Sequence, residues 1–265
     1  MKKPVFALLA TALASAAACA APPAGIPGDI DASKAIQFLY GHSSVKTDDG
    51  SQYTLWRNIQ TPKGGDAGDS DSGIIEELWV SAIFEHKYSE GGKEKYVVLV
   101  QAQEREWVES GGCHPCAPAI GAAIFSKTDD QWVLEAENKF MDPLGGSFGA
   151  WSGTVKLVSI GPRKYGLQHG SGYMAQGCVS EFFSILVPRK GSIDAFGVGE
   201  PKESCPDAEK EGVSTGNYDL TLRFDTASKG EYYDVELRYK SAGENTKPVT
   251  ITEKYRFDGS AYKPF

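Results

Sequence analysis

Residues 218–225 read Tyr-Asp-Leu-Thr-Leu-Arg-Phe-Asp, and residues 233–240 read Tyr-Asp-Val-Glu-Leu-Arg-Tyr-Lys. In both octapeptides every second side chain is apolar, and the residues between them are charged or polar. Successive side chains of a β-strand point to opposite faces, whereas a helix would place its apolar residues three and four apart. The pattern therefore predicts two antiparallel strands, each with one buried face and one solvated face.

The same two-residue period recurs nearer the N-terminus. Apolar residues alternate in phase from Leu78 to Tyr88, and the segment from Tyr96 to Val100 is apolar on both faces. Two further alternating segments, 120–124 and 132–136, flank the polar sequence Thr-Asp-Asp-Gln at 128–131, which predicts a hairpin. We expect an all-β fold, mainly antiparallel, in the form of a sandwich, an open barrel or a propeller-like array.

One short helix is expected near the N-terminus. Asp31 is a suitable N-cap, Gly41 a suitable end, and the apolar residues at 35, 36, 39 and 40 have helical spacing. Residues 31–265 are predicted to form a single β-rich domain. A possible weak boundary lies near 200–216, where prolines and glycines replace core residues.

The N-terminus predicts export. Lys2 and Lys3 precede an uncharged segment from Val5 to Ala18, and Ala18-Cys19-Ala20 offers a site for cleavage between small residues. The uncharged segment has the length of a signal-peptide core and is too short for a membrane anchor. We therefore expect a signal peptide over 1–20, a linker over 21–30 and a periplasmic or secreted mature protein.

The segment Ala16-Ala17-Ala18-Cys19 also resembles the cleavage motif of bacterial lipoproteins. The resemblance implies lipidation of Cys19 and an outer-membrane lipoprotein. The sequence departs from the motif at Ala16, where the family usually carries leucine. A lipid anchor is thus the alternative to a protein free of the membrane.

Four cysteines remain beyond Cys19, namely Cys113, Cys116, Cys178 and Cys205. An even number of cysteines in an oxidising compartment predicts disulfides. Pairing of Cys113 with Cys116, and of Cys178 with Cys205, is favoured because closing a short loop costs less chain entropy than closing a long one.

The sequence Cys113-His114-Pro115-Cys116 leaves three interpretations open. It can be a structural disulfide, a thiol–disulfide redox pair activated by the histidine, or part of a metal site completed by His86 or His169. Redox pairs of the thioredoxin type begin a helix, whereas Pro118 and an alternating strand follow this motif. The context favours a structural disulfide, and we predict neither a metal nor a cofactor.

Glycines and aromatic residues are interleaved in two segments, 145–151 and 169–177. Glycine lets the backbone approach a ligand closely, and aromatic side chains offer flat contact surfaces. His169 is in phase with Leu167 and should point toward the core, where it would be either a buried structural histidine or the base of a hydrolase. The candidate ligand-binding residues are Phe148, Trp151, His169, Tyr173 and Gln176.

The charge of the chain narrows the choice of partner. It has 27 Lys and Arg against 35 Asp and Glu, a net charge of −8, which becomes −10 once Lys2 and Lys3 are removed. An acidic protein repels phosphate backbones, so nucleic acid is excluded as a partner. No segment of the mature chain approaches the ~18 consecutive apolar residues of a membrane span.

These observations predict an exported module without enzymatic activity that binds a protein, a peptide or a glycan of the cell envelope. The first alternative is an envelope enzyme, either an oxidoreductase using Cys113 and Cys116 or a hydrolase using His169. The second alternative is a lipid-anchored structural protein of the envelope. The combination of residues 113–116, 146–149 and 255–259 resembles exported bacterial proteins, and that resemblance implies no activity.

Overall fold

The structure is a computed structural model that describes residues 25–60, 74–112, 116–141, 144–175, 178–204, 220–241 and 249–265. The predicted signal peptide and Cys19 lie outside these ranges, as does most of the predicted boundary at 200–216. Neither helix in the described ranges has the length and apolar character needed to cross a bilayer.

The predicted all-β architecture is confirmed, and of the three expected forms it is an antiparallel sandwich. Its strands lie in three layers. The first layer contains β1 (Gly25–Pro27), β2 (Ser44–Lys46), β3 (Gln52–Gln60), β4 (Ile74–Glu90), β5 (Lys93–Gln103), β6 (Ala119–Thr128) and β7 (Gln131–Met141). The second layer contains β8 (Thr154–Gly161), β9 (Lys164–Ala175), β10 (Cys178–Pro188) and β11 (Gly191–Ser204). The third layer contains β12 (Thr221–Asp225), β13 (Asp234–Ser241), β14 (Val249–Phe257) and β15 (Tyr262–Pro264).

The first two layers are antiparallel meanders joined through a short parallel contact. Strands β7 and β11 pair only through Ala136 with Gly191 and Glu137 with Ser192. The second layer packs face to face on the first, and the core between them contains Leu99, Leu167 and Leu186. Strand β1 pairs with β7 at 25–27, so part of the segment predicted as a linker belongs to the folded unit.

The predicted helix is confirmed as α1 (Ala32–Tyr40), which covers the outer face of the first layer. The Asp31 carboxylate accepts a hydrogen bond of 2.9 Å from the backbone N–H of Lys34, and Gly41 ends the helix with φ 110°. Strand β5 is consequently buried on both faces. Val98 and Val100 pack beneath the helix, and Leu99 packs against the second layer.

Strand β4 moves its apolar residues from one face to the other at a β-bulge. Its register with β5 shifts between Ala82 and Phe84. Val80 lies in the core beneath α1, whereas Phe84 and Tyr88 pack in the core between the first two layers. The in-phase alternation predicted through Tyr88 is therefore wrong beyond the bulge, because one extra residue inverts every side chain that follows.

The C-terminal meander forms the third layer, as its alternation predicted. Leu222 pairs with Leu237, and Phe224 pairs with Val235. These apolar residues pack on the outer face of the second layer, where Ile185 is fully buried. Each of the three layers thus buries the apolar face that it could not stabilise alone.

The sandwich of the first two layers has two distinct ends. At one end, which we call the turn end, lie the hairpin turns β4–β5, β6–β7, β8–β9 and β10–β11. At the other, the loop end, lie the connection between β7 and β8 and a second helix, α2 (Arg105–Ser110). Of the predicted ligand-binding residues, Phe148, Trp151 and His169 belong to the loop end.

Candidate functional site

At the loop end, the structure brings together two of the predicted ligand-binding residues. The indole Nε1–H of Trp151 donates a hydrogen bond of 2.8 Å to Nε2 of His169. Trp151 follows the glycine-rich segment, and its backbone N–H donates to the side-chain oxygen of Gln101 on β5 at 3.0 Å. His169 lies on β9 and has no exposed surface. Both side chains therefore belong to the core between the layers.

The glycines of this loop are required by contacts within the protein. Gly149 has φ 76°, and a Cβ there would lie 2.5 Å from Cβ of Trp107 on α2. A Cβ on Gly146 would lie 2.5 Å from the carbonyl oxygen of Ala150, and one on Gly145 would overlap Ser171. The close approach predicted for a ligand is thus made by the chain itself.

Hydrogen bonds fix the same loop to the first layer. Gln103 donates through Nε2 to the carbonyl oxygen of Gly149 at 2.6 Å, and Gly149 N–H donates to the carbonyl oxygen of Cys116 at 2.9 Å. Phe148 projects from this clamped turn with 55% of its surface exposed and φ 54°. The side chain of Tyr173 and all of Gln176 lie outside the described residues.

His169 is held in its neutral form. Burial lowers its pKa from the usual 6.5 to about 4. An indole nitrogen can only donate, so Nε2 of His169 is an acceptor and its proton sits on Nδ1. That nitrogen is buried without a hydrogen-bond partner in the described part of the chain. The neighbouring Ser171 donates instead to the carbonyl oxygen of Ser152, at 2.5 Å.

The cysteine predictions are tested only in part. Cys116 and Cys178 are both disulfide-bonded, whereas Cys113 and Cys205 lie outside the described residues. The described ranges show no complete cysteine pair, so the pairing stays a prediction. Within the same ranges, no three His, Cys, Asp or Glu side chains converge as a metal site would require.

The turn end holds a groove of about 910 Å³. It opens where β6 ends and where β5 and β7 begin, beside the turns of the second layer. The apolar part of its lining includes Leu134, Ile160, Tyr165 and Tyr232. Its cationic residues are Lys93, Lys95, Arg163, Lys164, Arg189 and Lys190, and its acidic residues are Glu90, Glu135 and Glu231. We call this feature the basic groove.

Two turns of identical sequence supply four of the six cations. Pro162-Arg163-Lys164 connects β8 to β9, and Pro188-Arg189-Lys190 connects β10 to β11. In the first turn, Lys164 forms an ion pair of 3.0 Å with Glu231 of the 226–233 connection. In the second, Arg189 pairs with Asp194 at 3.0 Å and donates to the carbonyl oxygen of Gly259 at 2.6 Å. Each turn thus uses one cation to fix its position.

The other cation of each turn remains available to a ligand. Arg163 and Lys190 are exposed and have no ion-pair or hydrogen-bond partner among the described residues. Lys93, at the start of β5, is exposed and forms no ion pair within those ranges, and its charge contributes to lowering the pKa of Glu135. Three positive charges from three different turns therefore surround the basic groove.

Ion pairs of the buried Lys95 support the wall of the basic groove. Lys95 is 8% exposed and contacts the carboxylates of Glu90 and Glu135, the latter at 2.7 Å. Burial by itself would lower the pKa of Lys95, but hydrogen bonds to the two carboxylates outweigh it and leave the pKa above its usual value. Glu90 also accepts a hydrogen bond of 2.8 Å from the backbone N–H of Tyr165, which ties the first layer to the second.

Sequence reasoning did not find the basic groove. The available signal was the repeated Pro-Arg-Lys, since proline and charged residues are typical of exposed hairpin turns. Alternation alone cannot show that turns 26 residues apart in the chain share one end of a sandwich. The groove exists only because the two layers pack with these turns side by side.

No protein-family model matches the chain, and neither a curated protein nor a solved structure is similar to it. The assignment of function therefore depends on the geometry of the site.

Proposed function

We propose that the mature protein is an exported, non-enzymatic binding module that holds its ligand in the basic groove. The observation that carries the proposal is the set of three unpaired cations, Lys93, Arg163 and Lys190, around a concavity of about 910 Å³. A concave surface with a few convergent polar groups is the usual form of a ligand site. The loop end is the weaker candidate for a ligand site, because the side chains of Trp151 and His169 lie in the core there.

The rigidity of the basic groove supports this role. The Glu90 contact to Tyr165 joins the first and second layers, and the Lys164 ion pair with Glu231 joins the second layer to the connection before β13. A ligand that enters the groove would therefore meet side chains presented by fixed turns. Such preorganisation reduces the entropy that binding must overcome.

Mapping the contact surface tests the location of the site. The mature protein, labelled with ¹⁵N, is titrated with hexagalacturonate, maltohexaose and a poly-glutamate peptide while its amide resonances are followed. We expect at least one probe to shift the amides around Lys93, Arg163 and Lys190. Shifts centred on Phe148 and Gly149, or no shift with any probe, would overturn the proposal.

The exported state has its own test. Intact-mass analysis of the protein recovered from the periplasm and medium should give a chain that begins at Ala21. Recovery of the full chain inside the cell would contradict export. Metabolic labelling with a fatty acid distinguishes the lipid-anchored alternative, in which the label would be found on Cys19.

A further inference from the structure

We infer that the ligand of the basic groove is an anionic glycan, a chain of sugar rings that carries several carboxylate or sulfate groups. The inference rests on the proposed function, since it takes the groove to be the binding site. It goes beyond that proposal by naming the chemistry of the ligand.

The first reason is the distribution of available charge. The Lys95, Lys164 and Arg189 cations already have internal anionic partners, so an incoming anion meets chiefly Lys93, Arg163 and Lys190. These three stand on three separate turns, β4–β5, β8–β9 and β10–β11. A chain with repeated negative groups can contact all three turns at once.

The second reason is what lies between the cations. Tyr165 and Tyr232 are half-buried on the lining, where Tyr165 packs against Tyr88 and Lys164 Nζ lies 5.3 Å from the ring centroid of Tyr232. The carboxylates of Glu135 and Glu231 line the same groove. Aromatic rings pack against the apolar faces of sugar rings, and carboxylates accept hydrogen bonds from hydroxyl groups. A glycan offers both partners between its charged groups.

The pairing of the wall strands disfavours an acidic peptide bound as an added strand. Capture of an extended acidic peptide by strand addition would need an unpaired strand edge. Strands β5 and β6, which form one wall of the basic groove, are each paired on both sides.

A matched pair of triple variants provides the test. K93Q/R163Q/K190Q removes the three available cations of the basic groove. K46Q/K156Q/R223Q removes two lysines and one arginine that are exposed elsewhere, so it changes the net charge equally. Binding of hexagalacturonate, sulfated maltohexaose, neutral maltohexaose, poly-glutamate and a single-stranded DNA hexamer is measured by calorimetry on each mature protein.

We expect the carboxylated or the sulfated oligosaccharide to bind, and which of the two binds more tightly identifies the anionic group. The groove triple variant should lose at least about tenfold in affinity, and the control triple variant should stay within about twofold, because ion pairs act at short range in salt. Neutral maltohexaose should bind at least about tenfold more weakly than the charged chain.

Two other results separate the failure of this inference from the failure of the proposed function. If neutral maltohexaose, poly-glutamate or DNA binds more tightly than both anionic oligosaccharides, and the groove variant weakens that binding, the groove is the site and the anionic glycan is wrong. If the groove variant binds every probe as the wild type does, or if no probe binds, both proposals are overturned.

Discussion

Trp151 and His169 form a hydrogen bond of 2.8 Å that joins the glycine-rich loop to the interior of the second layer. The bond fixes the neutral imidazole with its proton on Nδ1. Protonation would place a charge between two apolar layers and would require the indole to turn away. The pair therefore acts as a structural anchor of the loop end, and it makes the stability of the fold depend on pH.

The first prediction concerns that pH dependence. His169 has a pKa of about 4 in the folded protein and about 6.5 when unfolded. Between these values the unfolded chain binds the proton and the folded chain does not, so stability is lost as the pH falls from 6.5 toward 4. The lost contribution is about 3 kcal/mol. Urea denaturation of the wild type at pH 7, 5.5 and 4.5 measures it.

The variant His169→Gln isolates the effect, since its amide oxygen can still accept the indole N–H. Its free energy of unfolding should fall less than that of the wild type over the same range. Trp151→Phe is the matched control, because it removes the donor but keeps the imidazole. It should cost about 1–3 kcal/mol at neutral pH and retain the acid-dependent loss. Parallel pH curves for wild type and His169→Gln would disprove the assignment.

The second prediction concerns the glycine-rich loop. Gly149→Ala places a Cβ 2.5 Å from Cβ of Trp107, whereas Gly28→Ala places one in open space. The two glycines have similar φ angles, 76° and 70°, so the backbone strain of the two substitutions is comparable. Overpacking should therefore make Gly149→Ala the more destabilising by about 1–3 kcal/mol. Thermal unfolding of both variants compares them, and equal melting temperatures would mean that the loop is not closely packed.

Much of the fold could be predicted because alternation and capping are local. Asp31 and Gly41 fixed the ends of α1, and the alternating residues of β12 and β13 face the core as expected. Helix α2 was missed because it buries none of its residues and so has no apolar face to detect. The bulge in β4 was missed because an extra residue leaves no mark in the composition of the strand.

The candidate site was predicted less well, since its chemistry depends on contacts between distant segments. Glycines suited to a ligand are equally suited to close packing, and only the position of Trp107 against Gly149 distinguishes the two. The inward direction of His169 was predicted from its phase with Leu167. Nothing in the phase of a strand reveals that Arg163 and Lys190, on separate turns, line the same groove.

The third prediction concerns the disulfides. Cys116 and Cys178 are disulfide-bonded, and we expect their partners to be Cys113 and Cys205 respectively. Peptide mapping of the non-reduced mature protein should recover Cys178 and Cys205 in one linked pair of fragments. Cys178→Ser should cost about 2–5 kcal/mol of unfolding free energy. Recovery of Cys113 linked to Cys178 would contradict the pairing, and a free thiol at any of the four positions would contradict the export that the pairing presumes.

The last prediction links the ion pairs of Lys95 to the basic groove. Lys95→Met removes the cation that contacts Glu90 and Glu135 and leaves both carboxylates without that partner. The loss of charged hydrogen bonds should cost about 1.5–3 kcal/mol. Lys127→Met is the control, since Lys127 on β6 pairs with Glu94 on the neighbouring β5 at the surface of the same layer. That change should cost much less than Lys95→Met, because an exposed ion pair contributes little to stability.

Lys95→Met should also weaken the binding of an anionic ligand, because two uncompensated carboxylates would then stand in the basic groove. Lys127→Met removes the same formal charge at a surface pair, so its affinity should remain within about twofold of the wild type. Chemical denaturation and calorimetry on the same two proteins measure both effects. If Lys95→Met were as stable as Lys127→Met, the ion pairs would not hold the wall of the groove. If Lys95→Met were destabilised but bound the anionic ligand as tightly as the wild type does, Glu90 and Glu135 would not face the ligand.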